Sequence, residues 1–147
     1  MSGRILGVDP GEKRIGLAIS DPSATIAGPL GVVVHQARAA DAAKIAAMAR
    51  ERGAVKIVVG QAMGMDGLPS EEGLKAARLA EAIREASGLP VEMWDESGST
   101  QEARAARFAM GVSRRKRSGH LDEVAATIIL QSYLDAHSEG MLHDRLP

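Results

Sequence analysis

The sequence predicts an α/β domain: a mixed five-stranded sheet, its first three strands antiparallel, with helices on both faces. Three observations carry this expectation. The opening third of the chain alternates short aliphatic runs with tight turns, the pattern of an antiparallel meander. Two later aliphatic runs are each preceded by a helical stretch, which makes them parallel to the first strand. The chain has 147 residues, 45% of them hydrophobic, which suits one domain and buries roughly 68–70% of the unfolded surface without covalent staples.

Taken in order, "RILGVD" (Arg4–Asp9) reads as the first strand and "PGEK" as a turn, with Pro10 presetting φ. "RIGLAIS" (Arg14–Ser20) returns as a hairpin partner, and "GVVV" (Gly31–Val34) reads as a third strand. "DAAKIAAMARERG" is helical, with Ala42, Ile45, Ala46 and Ala49 on one face and Gly53 as its stop. "KIVVG" (Lys56–Gly60) has the uniformly apolar character of a buried parallel strand. After the loop "QAMGMDGLPS", Ser70 caps a helix through "EEGLKAARLAEAIREAS", closed by Gly88 and Pro90. "VEMWD" (Val91–Asp95) is the fifth strand. "STQE" (Ser99–Glu102) matches a capping box and opens a helix to Met110. A last helix spans about Leu121–Ala136, so residues 1–137 read as one domain and 138–147 as a loosely held tail. This β-β-β-α-β-α-β-α-α order has the look of a ribonuclease H-like fold.

Composition narrows the chemistry. With no cysteine, disulfides and thiolate zinc sites are excluded. The apolar run before Asp9 is too short for a secretory core or a membrane span, so a cytoplasmic protein without a membrane partner is expected. Net charge is −1, so bulk electrostatics do not draw the chain to nucleic acid. The charge is uneven, however: Arg114, Arg115, Lys116 and Arg117 stand side by side in "SRRKRSG". They read either as a solvated loop or as a grip on phosphates. Lys13 and Arg14 flank the first turn and raise the same pair of readings.

Carboxylates recur where elements end. Asp9 closes the first strand, Asp95 and Glu96 the fifth, and Asp122 opens the last helix. Ligands of open α/β sheets gather at the carboxyl ends of parallel strands. Asp9, Glu96 and Asp122 brought to one edge would repel, and a divalent cation compensates them; hard oxygen ligands select Mg²⁺ or Mn²⁺. Two such ions clamp both oxygens of an in-line phosphoryl displacement. Gly7 and Gly11 would keep side chains clear of a phosphate there. Taken singly, each acid also has an ordinary reading, as a turn residue or a helix-dipole partner. Asp66, in the loop after the fourth strand, is a spare oxygen ligand. Trp94 reads as core; His35, His137 and His143 show no ligand spacing, and His120, two residues before Asp122 and placed for proton transfer or substrate binding, reads as incidental at a helix start.

"GVDPGEKRIGLAISDP" resembles the opening motif of the YqgF family, also called RuvX-like or Holliday junction resolvases. So do "KIVVG…MDG", "LPVEMWDES", "GVSRRKR" and "LDEVAATIILQSYLD", in order over nearly the whole chain up to His137. The resemblance implies a ribonuclease H-like, metal-dependent nuclease of the bacterial cytoplasm, assigned in most members to maturing the 5′ end of pre-16S rRNA, and in some to cutting DNA junctions. Carried over by position, Asp9, Glu96 and Asp122 are the catalytic, metal-holding acids, with Asp95 supporting them. The sequence departs from the family pattern in "DESGST", where Ser97 replaces an arginine and Gly98 a bulky residue, and at Gln61 and Ala62, which replace Leu-Pro. A lost guanidinium affects phosphate placement and removes no metal ligand.

The expected partner is therefore nucleic acid, as pre-rRNA on a pre-ribosomal particle or as branched DNA, met by a monomer or weak homodimer. Two other classes remain open. A Gly-x-Asp-x-Gly hairpin also cradles ATP phosphates in the actin and sugar-kinase group, which needs two such domains where this length has room for one. The altered "DESGST" keeps a non-catalytic nucleic-acid-binding module in view.

Overall fold

The structure, a computed structural model, describes residues 3–95 and 118–145, with side chains for 3–95 and 122–137. Strands β1 (Arg4–Asp9), β2 (Arg14–Ser20) and β3 (Ala27–Val34) lead to helix α1 (Arg38–Glu51). Then come β4 (Ala54–Gln61), α2 (Glu71–Ser87), β5 (Val91–Asp95) and α3 (Ser118–Arg145). The strands form one sheet in the order β3-β2-β1-β4-β5. β1 pairs antiparallel with β2, and β2 with β3, whereas β4 runs parallel to β1 and β5 parallel to β4. This is the mixed, ribonuclease H-like sheet that the sequence predicts.

Period-two alternation splits each strand between two cores. Leu6, Val8, Ile15, Leu17, Ile57 and Val59 face α1 and α2 and meet Ile45, Ala49, Leu79 and Ile83. Ile5, Ala18 and Val58 face the other way and meet Ala126, Leu130, Tyr133 and Leu134 of α3. Gln131 ties α3 to the start of β3, its Oε1 accepting the Ala27 N–H at 2.8 Å and its Nε2 donating to the Thr25 carbonyl at 3.0 Å. Ser70 caps α2 as expected, accepting the Gly73 N–H at 3.1 Å, and Gly88 closes that helix in the left-handed region, φ 69°.

Three elements differ in extent from the sequence reading. β3 begins at Ala27 rather than Gly31: Gly28 and Pro29 look like breakers, but on an edge strand a proline costs no ladder bond. α1 starts at Arg38, ahead of the expected "DAAKIAAMARERG". α3 is longer at both ends, and residues 138–145, expected as a tail, continue its helical backbone. The helix expected over Ser99–Met110 lies outside the described residues.

Candidate active site

The site is built where β1 ends. Register places Asp9 directly opposite Gly16 of β2. A Cβ added to Gly16 would stand 1.9 Å from the backbone carbonyl oxygen of Asp122. α3 therefore crosses β2 in contact with bare backbone, and Asp122 arrives beside the residue that pairs with Asp9. One strand over, a Cβ on Gly7 would stand 2.8 Å from Leu130 Cβ. Gly7, Gly16 and Ala18 thus form a shallow floor that lets the helix approach closely. The glycine at position 7 serves this packing rather than an open edge. At Gly11 a Cβ would meet the Arg14 carbonyl at 2.2 Å, so that glycine serves closure of the turn. Because α3 starts at Ser118, Asp122 lies a full turn inside the helix rather than at its opening.

Electrostatics at Asp122 are unusual. Its Oδ2 is buried and has no hydrogen-bond partner. Arg14 Nε lies 3.2 Å from that oxygen, close enough for charge attraction but outside hydrogen-bonding geometry. A buried carboxylate oxygen with unused lone pairs is costly, and it suits a hard cation. The same contact gives Arg14 a neighbour within the protein; Lys13 stays exposed, its carbonyl accepting the His35 N–H at 2.9 Å.

Asp95 sits differently. Val8 is level with Val59 and Val59 with Met93, so the row containing Asp9 continues to Trp94, and Asp95 lies one residue further on. By alternation it has the opposite facing to Asp9. β4 separates the two strands, so they stand about 9.5 Å apart. Glu96 and the basic run Arg114, Arg115, Lys116 and Arg117 lie outside the described residues. Among the described residues no three His, Cys, Asp or Glu side chains converge as a metal site. Asp66 accepts the Leu68 N–H at 3.1 Å and so shapes its own loop.

Near the N-terminal ends of β4 and β5 a separate polar cluster ties α3 to the sheet. Lys56 Nζ donates to Glu92 Oε1 and to the Tyr133 hydroxyl, each at 2.6 Å, and Tyr133 donates to Glu92 at 3.0 Å. Burial opposes the charge on Lys56, but hydrogen bonds to Glu92 and Tyr133 outweigh it and raise its pKa. Burial likewise works against ionised Glu92, and the Lys56 and Tyr133 hydrogen bonds overcome it and lower its pKa. Trp94 packs edge-on against Tyr133, centroids 5.2 Å apart, consistent with the packing role expected for it. His137 stacks on Tyr133 at 3.8 Å.

Two structural features escaped the sequence reading. Gly16 had a signal, since a glycine inside a strand marks a close backbone approach. The pairing of His35 with Asp41 had none: their side chains meet only because β3 turns directly into α1, with His35 Nδ1 2.5 Å from Asp41 Oδ2.

No helix among the described residues is long and apolar enough to cross a membrane. The family model for RuvX, described as "Holliday junction resolvase", matches residues 3–136. The chain is 42% identical over 136 residues to a protein of Syntrophus aciditrophicus (strain SB) named "Putative pre-16S rRNA nuclease", covering 92% of this chain and 91% of that one. It is 44% identical over 132 residues to a protein of the same name from Anaeromyxobacter sp. (strain Fw109-5), covering 90% and 96%. Among solved structures it resembles RuvC of T. thermophilus in complex with a Holliday junction substrate, with TM-score 0.55, 19% identity, and 93% and 96% of the two chains covered. It also resembles the fowlpox virus Holliday junction resolvase, with TM-score 0.56, 16% identity, and 90% and 99% covered. At such identities these likenesses speak for the fold. With nearly the whole chain matched by the family model and by relatives above 40% identity, the protein belongs to the RuvX family.

Proposed function

We propose that the chain is a Mg²⁺- or Mn²⁺-dependent endonuclease that hydrolyses phosphodiesters in structured nucleic acid, and that its substrate is the 5′ region of pre-16S rRNA. The observation that carries this is the buried Asp122 Oδ2, which accepts no hydrogen bond, delivered beside the end of β1. Two curated relatives bear the matching name. Asp9 and Asp122 would hold the cation from the strand end and the helix, and Glu96, which follows β5, would complete the set. The chemistry that such ions supply is polarisation of the scissile phosphate and a lowered pKa for the attacking water.

The protein's own groups do the rest. The rigid sheet and α3 hold the two aspartates without reorganisation, which is the preorganisation that charge stabilisation needs. Arg14 offsets part of the negative charge at Asp122 until substrate and metal arrive. Arg114, Arg115, Lys116 and Arg117 bind flanking phosphates, and Lys13 lies on the approach to the same edge. The protein acts in the cytoplasm on a pre-ribosomal particle, as a monomer or weak homodimer.

A second reading, resolution of four-way DNA junctions, is favoured by the description of the family model. Paired cuts on a symmetric junction call for a two-fold dimer. The deciding assay offers precursor 16S rRNA and a mobile four-way junction to wild-type protein and Asp9→Asn with Mn²⁺ present. Cleavage of the RNA by wild type alone supports the proposal. Cleavage of the junction by a dimer alone favours the second reading. Binding without cleavage by either protein leaves a non-catalytic module.

A further inference from the structure

A cleft of about 510 Å³ opens on the other side of the β1–β2 turn, between that turn, α1 and α2. It starts at Pro10 and Gly11, one and two residues beyond Asp9, so it lies within about 8 Å of the candidate active edge along the backbone. Its floor is apolar, formed by buried Ile15 and Leu79, and its wall carries Arg38, Lys75 and Arg78. These three exposed cations make no ion pair or hydrogen bond among the described residues. Glu12 and Glu72, at the rim, are likewise unpaired.

The remaining wall is held rigidly. Asp41, with a side chain 2% exposed, accepts the Gln36 N–H at 3.0 Å and His35 Nδ1 at 2.5 Å. That bond fixes the imidazole and leaves Nε2 as its available nitrogen beside the cleft. Ala37, also in the wall, is the N-cap of the 14-residue α1 and brings no side-chain oxygen to the first-turn N–H groups. An apolar floor, three unpaired cations, a fixed imidazole and two carboxylates match the parts of a nucleotide: a base or sugar face, a phosphate, and hydroxyl or amino donors.

We propose that this cleft receives one nucleotide unit of the bound strand, flanking the phosphate at Asp9, with its phosphate on Arg38, Lys75 and Arg78 and its base or sugar on Ile15 and Leu79. The site rests on the nucleic-acid reading of the active edge and extends it to the opposite face of the sheet. A strand passing over the end of β1 is then gripped on both sides. A chain with 2% aromatic residues, whose Trp94 and Tyr133 pack against each other, holds such a strand through phosphates and aliphatic surface.

The test uses the full-length protein in EDTA, so that binding is read without cleavage, and a fluorescent single-stranded RNA dodecamer as probe. Wild type, Arg38→Ala and Arg78→Ala are compared, with Arg52→Ala at the far end of α1 as control. Loss of one phosphate contact should lower the slope of log K against log salt by about 0.7, or ~5-fold in affinity near 0.1 M salt. Arg38→Ala and Arg78→Ala should each lose this, Arg52→Ala should not, and RNA should shift the amide resonances of Gly11, Ala37 and Arg38. Unchanged slopes in both cleft variants overturn the proposal. So does a cleft whose amides respond to adenosine monophosphate but not to the RNA, which would make it a free-nucleotide site. Cleft binding by a protein that never cleaves leaves this inference standing and sinks the nuclease reading. Unchanged KM for RNA cleavage in Arg38→Ala and Arg78→Ala does the reverse.

Discussion

The carbonyl oxygen of Asp122 lies against Gly16, 1.9 Å from the point where any other residue would place its Cβ. Gly16 is the ladder partner of Asp9, so this contact brings the helix-borne and strand-borne carboxylates to the same end of the sheet. Backbone meets backbone there, and no rotamer change can relieve an added atom.

Gly16→Ala is therefore expected to push the start of α3 off the sheet. Overpacking of this kind costs about 1–3 kcal/mol, and the shift also displaces Asp122. Thermal unfolding should show the loss of stability, and nuclease activity measured below the new melting temperature should fall further than stability explains. Full activity in a folded Gly16→Ala protein would break the link between this contact and the site.

Asp122→Asn separates charge from packing. The substituted side chain has nearly the same shape, and the charge removed has one oxygen without a hydrogen bond and an exposed ion-pair partner in Arg14, so melting temperature should change little. Activity should fall by more than the ~10–100-fold typical of losing an outer-shell partner of a metal. A marked drop in melting temperature with activity retained would assign Asp122 a structural role with Arg14 instead.

Ser70→Ala tests local stability remote from chemistry. The Ser70 hydroxyl accepts the Gly73 N–H and donates to the Ala62 carbonyl, both at 3.1 Å. Its loss should cost about 1 kcal/mol, read as a lower denaturant midpoint with an unchanged m value.

The Lys56–Glu92–Tyr133 cluster predicts a pH dependence. Glu92 has a lowered pKa, so its stabilisation is complete above the unfolded carboxylate value of about 4.3 and is lost as pH falls through the lowered folded value. Lys56 has a raised pKa, so its contribution is complete below about 10.4 and is lost as pH rises through the raised folded value. Melting temperatures of wild type and Glu92→Gln should differ most between these limits and converge toward acid. A difference that stays constant down to pH 2.5 would discount the cluster.

The sheet was legible because its signals are local. The aliphatic runs in "RILGVD" and "RIGLAIS", the Pro10–Gly11 turn and the Ser70 cap each depend on residues within one element. Errors fell where context overrules a local signal: Pro29 reads as a breaker until β3 is known to be an edge strand.

The sequence by itself determined the order of the described strands and helices and the placement of Asp9, Asp95 and Asp122 at or near element ends, because periodicity and turn chemistry act over a few residues. Only the tertiary structure decided which of those acids share one end of the sheet. Asp122 reaches the end of β1 because Gly7, Gly16 and Ala18 leave room for α3, and Asp95 is turned away because it lies one residue beyond the Asp9 row. His35 and Asp41 likewise join only through the turn from β3 into α1. Such meetings are set by the depth and register at which distant elements pack, and no short stretch of chain encodes either.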